Sequence, residues 1–209
     1  MVIYLKNIKN KKGFTLIELL AVVIILGVIM TIAIPNIVTT LDKNKRDTFI
    51  KDAKRAITSA EYTIRTETKY DYPDKDSAVV FKLSDLKNLD LEVSPYDTYY
   101  SMDDSFVAIT KEPVGSYDEY VYYVHLVSCT DKKCDNTETD SVSSNRGINL
   151  VRYDDLDSSS RYDLVVKGYE VVTNYIEEDT GGTYQGIKAE LTRIRDAKGI
   201  TSVTNVVVY

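Results

Sequence analysis

The hydrophobic pattern is most regular near the N-terminus, where 21 residues from Phe14 to Ile34 are almost all apolar. Glu18 is the only ionisable residue among them. A helix rises about 1.5 Å per residue, so this segment spans roughly 30 Å, the thickness of the hydrocarbon core of a bilayer. Because few core helices of soluble proteins are apolar on every face over such a length, we predict a membrane-spanning helix at residues 14–35.

Beyond Pro35 the pattern becomes amphipathic, and no Gly or Pro occurs in residues 36–66. We therefore predict that the helix continues over residues 36–68 and that its two parts together measure roughly 75–80 Å. The heptads are too imperfect for a coiled coil, so we expect the apolar stripe to pack on a sheet of the same chain. The stripe consists of Ile37, Val38, Leu41, Phe49, Ala53, Ala56, Ile57, Ala60 and Ile64.

From residue 69 onward, short strand signals replace the helical ones. The clearest strand is Glu119–Val127, and with the alternating residues 105–110 it predicts a hairpin over residues 106–127 that closes across Lys111–Asp118. Further signals indicate a strand or entry loop at 78–83, a helical turn at 84–89, a surface loop at 131–145, and strands within 148–153, 162–176 and 200–208. The apolar residues of 186–197 fit one face of a helix and also alternate as in a strand, and we favour a helix there. These elements predict an α+β fold in which the long helix packs on the antiparallel sheet of a head domain at residues 69–209.

Charge is distributed unevenly along the chain. Residues 1–13 hold four lysines (Lys6, Lys9, Lys11 and Lys12) and no acidic residue, which favours a cytoplasmic N-terminus and an exported C-terminus. No small-x-small cleavage pattern follows the apolar run, so cleavage is more plausible before it, at the Gly13–Phe14 bond. Loss of residues 1–13 changes the formal net charge from −6 to −10. Such an acidic protein is not expected to bind nucleic acid directly.

Glu18 is the unusual residue of the apolar run, because an ionised carboxylate inside lipid costs several kcal/mol unless it has a partner. Phe14 precedes it by four residues, about one helical turn. If the chain is cut before Phe14, the new amine is the nearest positive charge. The amine of the same chain or that of a neighbouring, axially shifted helix fits this role, and only the second couples neutralisation to assembly. A Glu18 that snorkels to the interface is the remaining alternative.

The segment Lys11-Lys12-Gly13-Phe14-Thr15-Leu16-Ile17-Glu18-Leu19-Leu20, followed by an aliphatic run, resembles the N-terminus of type IV prepilins and pseudopilins. The resemblance covers about the first fifty residues. It implies that a prepilin peptidase removes residues 1–13, that Phe14 is N-methylated, and that Glu18 meets the Phe14 amine of an adjacent subunit. Gly27 and Pro35 lie where the family often has helix-weakening residues. The implied partners are the peptidase, other pilin subunits, the inner or cytoplasmic membrane before assembly, and a pilus assembly platform.

Cys129 and Cys134 are the only cysteines. In an exported head, an oxidising environment favours a disulfide between them over free thiols. A metal site that adds His125 is the weaker alternative, because three loosely spaced ligands are poor evidence for a metal.

Candidate catalytic groups are few. Two acidic clusters, at residues 71–76 and 154–157, lack the ligand spacing and glycine of a dedicated calcium loop. A single histidine supplies no nucleophile–base–orienter set, and nucleotide-binding or hydrolase motifs are missing from the sequence. We therefore predict no enzymatic activity and no cofactor.

The sequence thus predicts a structural subunit of a type IV pilus-like extracellular filament, for adhesion, motility or surface attachment. Before assembly it would be a single-pass membrane protein with a cytoplasmic N-terminus. A pseudopilin of a DNA-uptake or type II secretion-like machine, and a signal-anchored extracellular binding module, are the alternatives.

Overall fold

The computed structural model describes residues 13–131, 134, 144–158, 160–177 and 184–209. The chain divides into two units, Met1–Asp42 and Lys43–Tyr209. A single helix, α1 (Leu16–Thr66), runs through the boundary between them and contributes to both. The predicted lysine leader and most of the predicted loop at 131–145 lie outside the described residues.

The second unit contains a seven-stranded sheet in the order β6-β5-β4-β3-β1-β7, with β2 paired to one end of β4. Its strands are β1 (Ser77–Lys82), β2 (Tyr99–Tyr100), β3 (Phe106–Val114), β4 (Tyr117–Cys129), β5 (Arg146–Arg152), β6 (Val165–Lys167) and β7 (Asn205–Val208). A second helix, α2 (Gln185–Asp196), precedes β7, and 3-10 turns lie at Leu83–Asp85, Tyr153–Asp157, Arg161–Leu164 and Gly168–Glu170. The α+β fold predicted from the sequence is confirmed.

The C-terminal half of α1 packs on one face of the sheet. Its buried apolar residues recur every three or four positions, and the alanines among them let the helix approach the strands closely. Full burial of each large apolar side chain contributes roughly 1.5–3 kcal/mol. The buried residues of α1 include Phe49, Ile50, Ala53, Ala56, Ile57, Ala60 and Ile64. The predicted packing of the stripe is therefore confirmed from Phe49 onward, whereas Ile37, Val38 and Leu41 are exposed.

Helix α2 covers the opposite face of the sheet. Ile187 and Leu191 are buried there against Ala78, Val80 and Phe106. Because both faces are covered, β1 and the first half of β3 are apolar at consecutive positions rather than at alternate ones. This explains why residues 78–83 gave an ambiguous strand signal.

Two predictions about the sheet need correction. The β3–β4 hairpin does not close across Lys111–Asp118, since pairing continues to Val114 and Tyr117 and leaves a two-residue turn in which Gly115 has φ +67°. Such a turn requires positive φ, which glycine adopts without strain. The sheet is also not wholly antiparallel, because β7 pairs with β1 in parallel. The strand predicted within residues 162–176 is confirmed as β6, a short strand flanked by 3-10 turns.

Candidate functional site

The start of α1 forms a closed set of hydrogen bonds between Thr15 and Glu18. The backbone N–H and the hydroxyl of Thr15 both donate to Oε2 of Glu18 at 2.8 Å, and the backbone N–H of Glu18 donates to Oγ1 of Thr15 at 3.3 Å. This is a capping box, in which the first helical turn satisfies N–H groups that otherwise lack partners. Sequence analysis missed it, although the spacing Thr-x-x-Glu before an apolar run is its usual signal.

The apolar side chains that follow are exposed along the first unit. From Phe14 to Leu41, each large apolar residue has between 47% and 88% of its surface exposed. The most apolar window of α1 has a mean hydropathy of 2.9 and is not buried at all within the chain. By length and composition the helix could thus cross a membrane, and its most apolar window is not part of the core of the described chain.

Helix α1 does not end at either of its two predicted weak points. Pro35 lies inside the helix, and because proline has no N–H, the carbonyl of Thr31 loses its ordinary intrahelical donor. One position later, Asn36 Nδ2 donates to the carbonyl of Ile32 at 3.1 Å, which adds a bond to the neighbouring carbonyl but does not replace the one that Thr31 loses. A methyl group added at Gly27 would meet no atom within 4 Å, so packing within the chain does not require glycine there.

Residues 8–34 match the family model described as "Prokaryotic N-terminal methylation motif". The match contains Gly13, Phe14 and Glu18. The chain carries the type IV pilin and pseudopilin signature. Neither the curated proteins nor the solved structures searched contain a match to it. The similarity to known proteins is therefore limited to the N-terminal segment at residues 8–34. The head is described from its own structure alone.

The signature supports a pilin-like or pseudopilin subunit that is processed by a prepilin peptidase and assembled with other pilin subunits. The peptide bond that this peptidase would cut is accessible, since Gly13 and Phe14 are both exposed and precede the first helical residue, Leu16. A side chain at Gly13 would meet no atom within 4 Å. The fold of the described chain thus does not require glycine at this position.

In the head, Cys129 and Cys134 form a disulfide with a Cα–Cα distance of 5.2 Å. Both are buried, Cys129 at the end of β4, in a small apolar cluster with Val127 and Val171. Because both sulfurs are bonded to each other, neither is a metal ligand. Among the described residues, no group of three or more His, Cys, Asp or Glu side chains is arranged to hold a metal ion.

His125 is fully buried in β4, where its ring packs against Phe106 and Tyr175. Its Nδ1 lies 2.9 Å from the carbonyl oxygen of Ile148, so the neutral ring donates this proton. Burial lowers the pKa of His125 to about 4, and the hydrogen bond to Ile148 opposes this shift. The residue is therefore a neutral histidine of the core.

The acidic cluster at residues 154–157 forms ion pairs with cations of neighbouring elements. Asp154 lies 3.2 Å from Arg152, Asp155 lies 3.9 Å from Lys198, and Asp157 lies 2.6 Å from Lys54 of α1. In the other cluster, the carbonyl and carboxylate of Asp76 accept hydrogen bonds from the chain segment before β7. Most of these acids therefore serve to connect elements of the head.

Two buried polar groups of the head were missed by sequence analysis. Asp52 of α1 accepts a hydrogen bond from Tyr100 at 2.9 Å and lies 3.2 Å from Arg55. Burial, followed by the charge of Asp52, raises the pKa of Tyr100 above its usual value. The hydrogen bond between Tyr100 and Asp52 connects strand β2 to helix α1. Since both residues are usually solvent-exposed types, local pattern gives no signal that they meet.

The second group surrounds Glu112, which is fully buried at the end of β3. Its Oε1 accepts hydrogen bonds from Tyr123 at 2.6 Å and from Thr110 at 2.7 Å. Arg152 of β5 and Arg195 of α2 approach the carboxylate to 3.5 and 3.8 Å. Arg195 follows Ile187 and Leu191 at four-residue intervals, so it belongs to the buried stripe of α2. The group holds α2 on the sheet.

Proposed function

We propose that the chain is the structural subunit of a type IV pilus-like extracellular filament, assembled through its N-terminal helix. The supporting observation is a lone carboxylate, Glu18, at the start of an apolar helix whose large apolar side chains from Phe14 to Leu41 are all exposed in the described part of the chain. Neighbouring copies of the same helix would supply an apolar surface on which these exposed side chains can be buried. The family of the signature is structural rather than enzymatic.

The proposal assigns a role to each segment. Residues 1–13 form a cytoplasmic leader that the peptidase removes, and the amine of Phe14 is then N-methylated. Residues 14–35 hold the subunit in the inner or cytoplasmic membrane and later pack in the filament. Residues 36–68 continue the helix toward the head at 69–209, which lies outside the membrane. Gly27 and Pro35 are proposed as points at which the helix weakens during assembly.

Assembly is driven by two effects. The exposed apolar side chains of α1 become buried among neighbouring helices, and shape-complementary packing replaces contact with lipid. The positive amine of Phe14 on one subunit neutralises Glu18 of the next, which favours one axial position of the incoming helix. A pair of this kind in a medium of low dielectric is strongly preferred over an isolated carboxylate.

The test is the mass of the mature N-terminus combined with electron microscopy of surface fibres labelled by an antibody to the head. A polypeptide that begins at methylated Phe14 and is found along long fibres supports the proposal. Labelling restricted to short, transient fibres indicates the pseudopilin alternative instead. A mature chain that still begins at Met1 while fibres form as usual contradicts the proposal and favours an anchored binding module.

A further inference from the structure

The outermost strands of the sheet are β6 and β7, and they differ in how their open edges are protected. At the β6 edge, Nη1 of Arg46 from α1 donates to the backbone carbonyls of Tyr162 at 2.7 Å and Val165 at 3.5 Å. The strand itself ends on a charged residue, Lys167. Covering side chains and charges are usual means by which proteins prevent a sheet edge from pairing with another chain. The β6 edge is therefore protected against such pairing.

Strand β7, at the opposite edge, is uncharged and apolar. Residues 199–209 contain no charged residue, although 28% of the chain is charged. The side chains of Val206 and Val208 pack on the α2 side of the sheet. Val207 lies on the other face and keeps 37% of its surface exposed. Two copies of the chain can therefore approach each other along β7 without like charges meeting, although each copy is acidic overall.

The hydrogen bonds between β7 and β1 show which backbone groups of β7 remain open. The N–H group of Tyr209 donates to the carbonyl of Val80, and its own carbonyl accepts from the N–H group of Lys82. Because successive residues of a strand direct their N–H and C=O groups to opposite sides, those of Val206 and Val208 point away from β1. No hydrogen bond of the described chain outside the β1–β7 ladder reaches these groups.

The open groups are arranged so that the same strand of a second copy can satisfy them. In an antiparallel pair, two opposite residues that both face the partner strand exchange two hydrogen bonds. If Val207 lies opposite its equivalent, Val206 of each copy lies opposite Val208 of the other, and both of these pairs exchange their bonds. A shift by two residues leaves one such pair within β7, and a shift by one residue leaves none. The edge is thus complementary to itself in one register.

We propose that two copies of the chain associate edge to edge through antiparallel β7 strands, with Val207 opposite its equivalent on a two-fold axis. This contact goes beyond the filament function and does not depend on it. Because both copies use the same surface, the contact ends at two copies and differs from the repeating contact that builds a filament. So few hydrogen bonds make a weak contact, which a covalent cross-link detects best.

A single cysteine tests the two-fold arrangement, because a residue meets its own equivalent only on the axis. Opposite residues of a non-hydrogen-bonded pair have Cα atoms about 4.5 Å apart, a distance that a disulfide can span. Val207→Cys in the full-length chain in detergent should give at least about ten times more disulfide-linked dimer than Tyr169→Cys, which is more exposed. The native cysteines are bonded to each other and do not compete. Equal amounts of dimer on a non-reducing gel overturn the proposal.

Removal of one outward donor tests the register. Val208→Pro deletes an N–H group that does not belong to the β1–β7 ladder, and edge strands tolerate proline where this group faces solvent. In the Val207→Cys background it should lower the amount of dimer at least about tenfold, because each dimer loses two hydrogen bonds. Val208→Thr keeps the N–H group and the shape of the side chain, and its dimer should stay within about twofold. Equal yields from the proline and threonine variants overturn the register.

Charges at Val207 provide a test that does not depend on proline. Opposite charges directly across an antiparallel pair attract each other. Full-length chains with Val207→Lys and with Val207→Glu are mixed and treated with a carbodiimide, which joins a carboxylate to an amine in contact with it. This mixture should give at least about five times more covalent dimer than Val207→Lys mixed with the unaltered chain. Equal yields from the two mixtures overturn the contact.

Discussion

Thr15 donates two hydrogen bonds, from its backbone N–H and from its hydroxyl, to the same carboxylate oxygen of Glu18, each at 2.8 Å. Within one chain, Glu18 is therefore already engaged as the last member of a capping box. The hydrogen bonds from Thr15 thus explain a hydrogen-bond acceptor at residue 18 without any neighbouring subunit. The capping role and the proposed pairing with the Phe14 amine make different predictions.

Glu18→Gln distinguishes the two roles, because glutamine can also complete a capping box but carries no charge. If the ion pair drives assembly, Glu18→Gln and Glu18→Ala should both lower fibre yield at least about tenfold, since a pair lost in lipid costs several kcal/mol and each 1.4 kcal/mol is a factor of ten. Immunoblots of membrane fractions should show normal insertion of both variants.

The control for this experiment is Thr15→Val, which removes the hydroxyl and keeps both the shape of the side chain and the backbone donor. Its fibre yield should stay within about twofold of the unaltered chain, because the charge of Glu18 is untouched. Normal fibres from Glu18→Gln, together with their loss in Thr15→Val, would contradict the intersubunit ion pair and favour the capping role.

Gly13→Val tests the proposed cleavage. A side chain at residue 13 meets no atom within 4 Å, so the variant should fold and insert normally. Its branched side chain should nevertheless block the peptidase, and the chain should accumulate with the 13 leader residues attached. Mass spectrometry of the intact protein measures this directly, with the smaller change Gly13→Ala as the milder comparison. A Gly13→Val protein that still begins at Phe14 would place the specificity of cleavage elsewhere.

The N-terminal site could be predicted from sequence because its information is local. Its residues, namely the lysines, Gly13, Phe14 and Glu18, lie within a few positions of one another. The apolar run that follows indicates a membrane-spanning helix by its composition and length alone. The alanines of the α1 stripe were equally informative, since their spacing follows the helical period whatever they pack against. The segment of α2 was ambiguous, because its apolar residues fit both a helical face and strand alternation, and the helix favoured there is confirmed.

The features that sequence did not predict depend on contacts between residues that are far apart along the chain. The parallel pairing of β7 with β1 joins segments more than a hundred residues apart, and a parallel pair leaves no turn signal between its strands. Arg195 was not recognised as a core residue because arginine is rarely buried without a partner, and its partner Glu112 lies on another element. The coverage of both sheet faces likewise became evident only from the fold.

The disulfide should stabilise the head by restricting the unfolded chain. Replacing both Cys129 and Cys134 by serine is expected to lower the free energy of unfolding by about 2 kcal/mol, as for a loop of this length. The corresponding fall in Tm is roughly 4–8 °C and can be measured on the full-length chain in detergent. If two thiols of the unreduced mature protein react with an alkylating agent, the bond is absent and this expectation is wrong.

Tyr100→Phe tests how α1 is held on the sheet. The variant keeps the buried ring against Phe49 and removes only the hydroxyl that donates to Asp52. Because Asp52 then loses a hydrogen bond in a buried site, the free energy of unfolding should fall by about 1–3 kcal/mol. The exposed change Tyr169→Phe is the control and should have almost no effect. Equal stability of the two variants would mean that water replaces the tyrosine hydroxyl at no cost.

His125 should make the head sensitive to acid over a defined pH range. Its pKa is lowered to about 4 in the folded head, while in the unfolded chain it is close to the ordinary value of 6.5. Between these two values only the unfolded state binds the proton, so the stability of the head falls as the pH falls from 6.5 to 4 and is unaffected by this group above that range.

Between pH 7 and pH 5, this linkage amounts to a loss of about 2 kcal/mol in the free energy of unfolding, which denaturant titrations of the full-length chain can measure. Carboxylates add their own pH dependence, so the comparison is with His125→Asn, whose amide can still donate to the carbonyl of Ile148 but does not titrate. The unaltered chain should lose about 2 kcal/mol more than this variant over the same interval, whatever the stability of the variant at pH 7. Equal losses in the two proteins would mean that His125 is protonated in the folded head. A protonated ring would need a carboxylate or a water molecule beside it, and the packing of Phe106 and Tyr175 leaves little room for either.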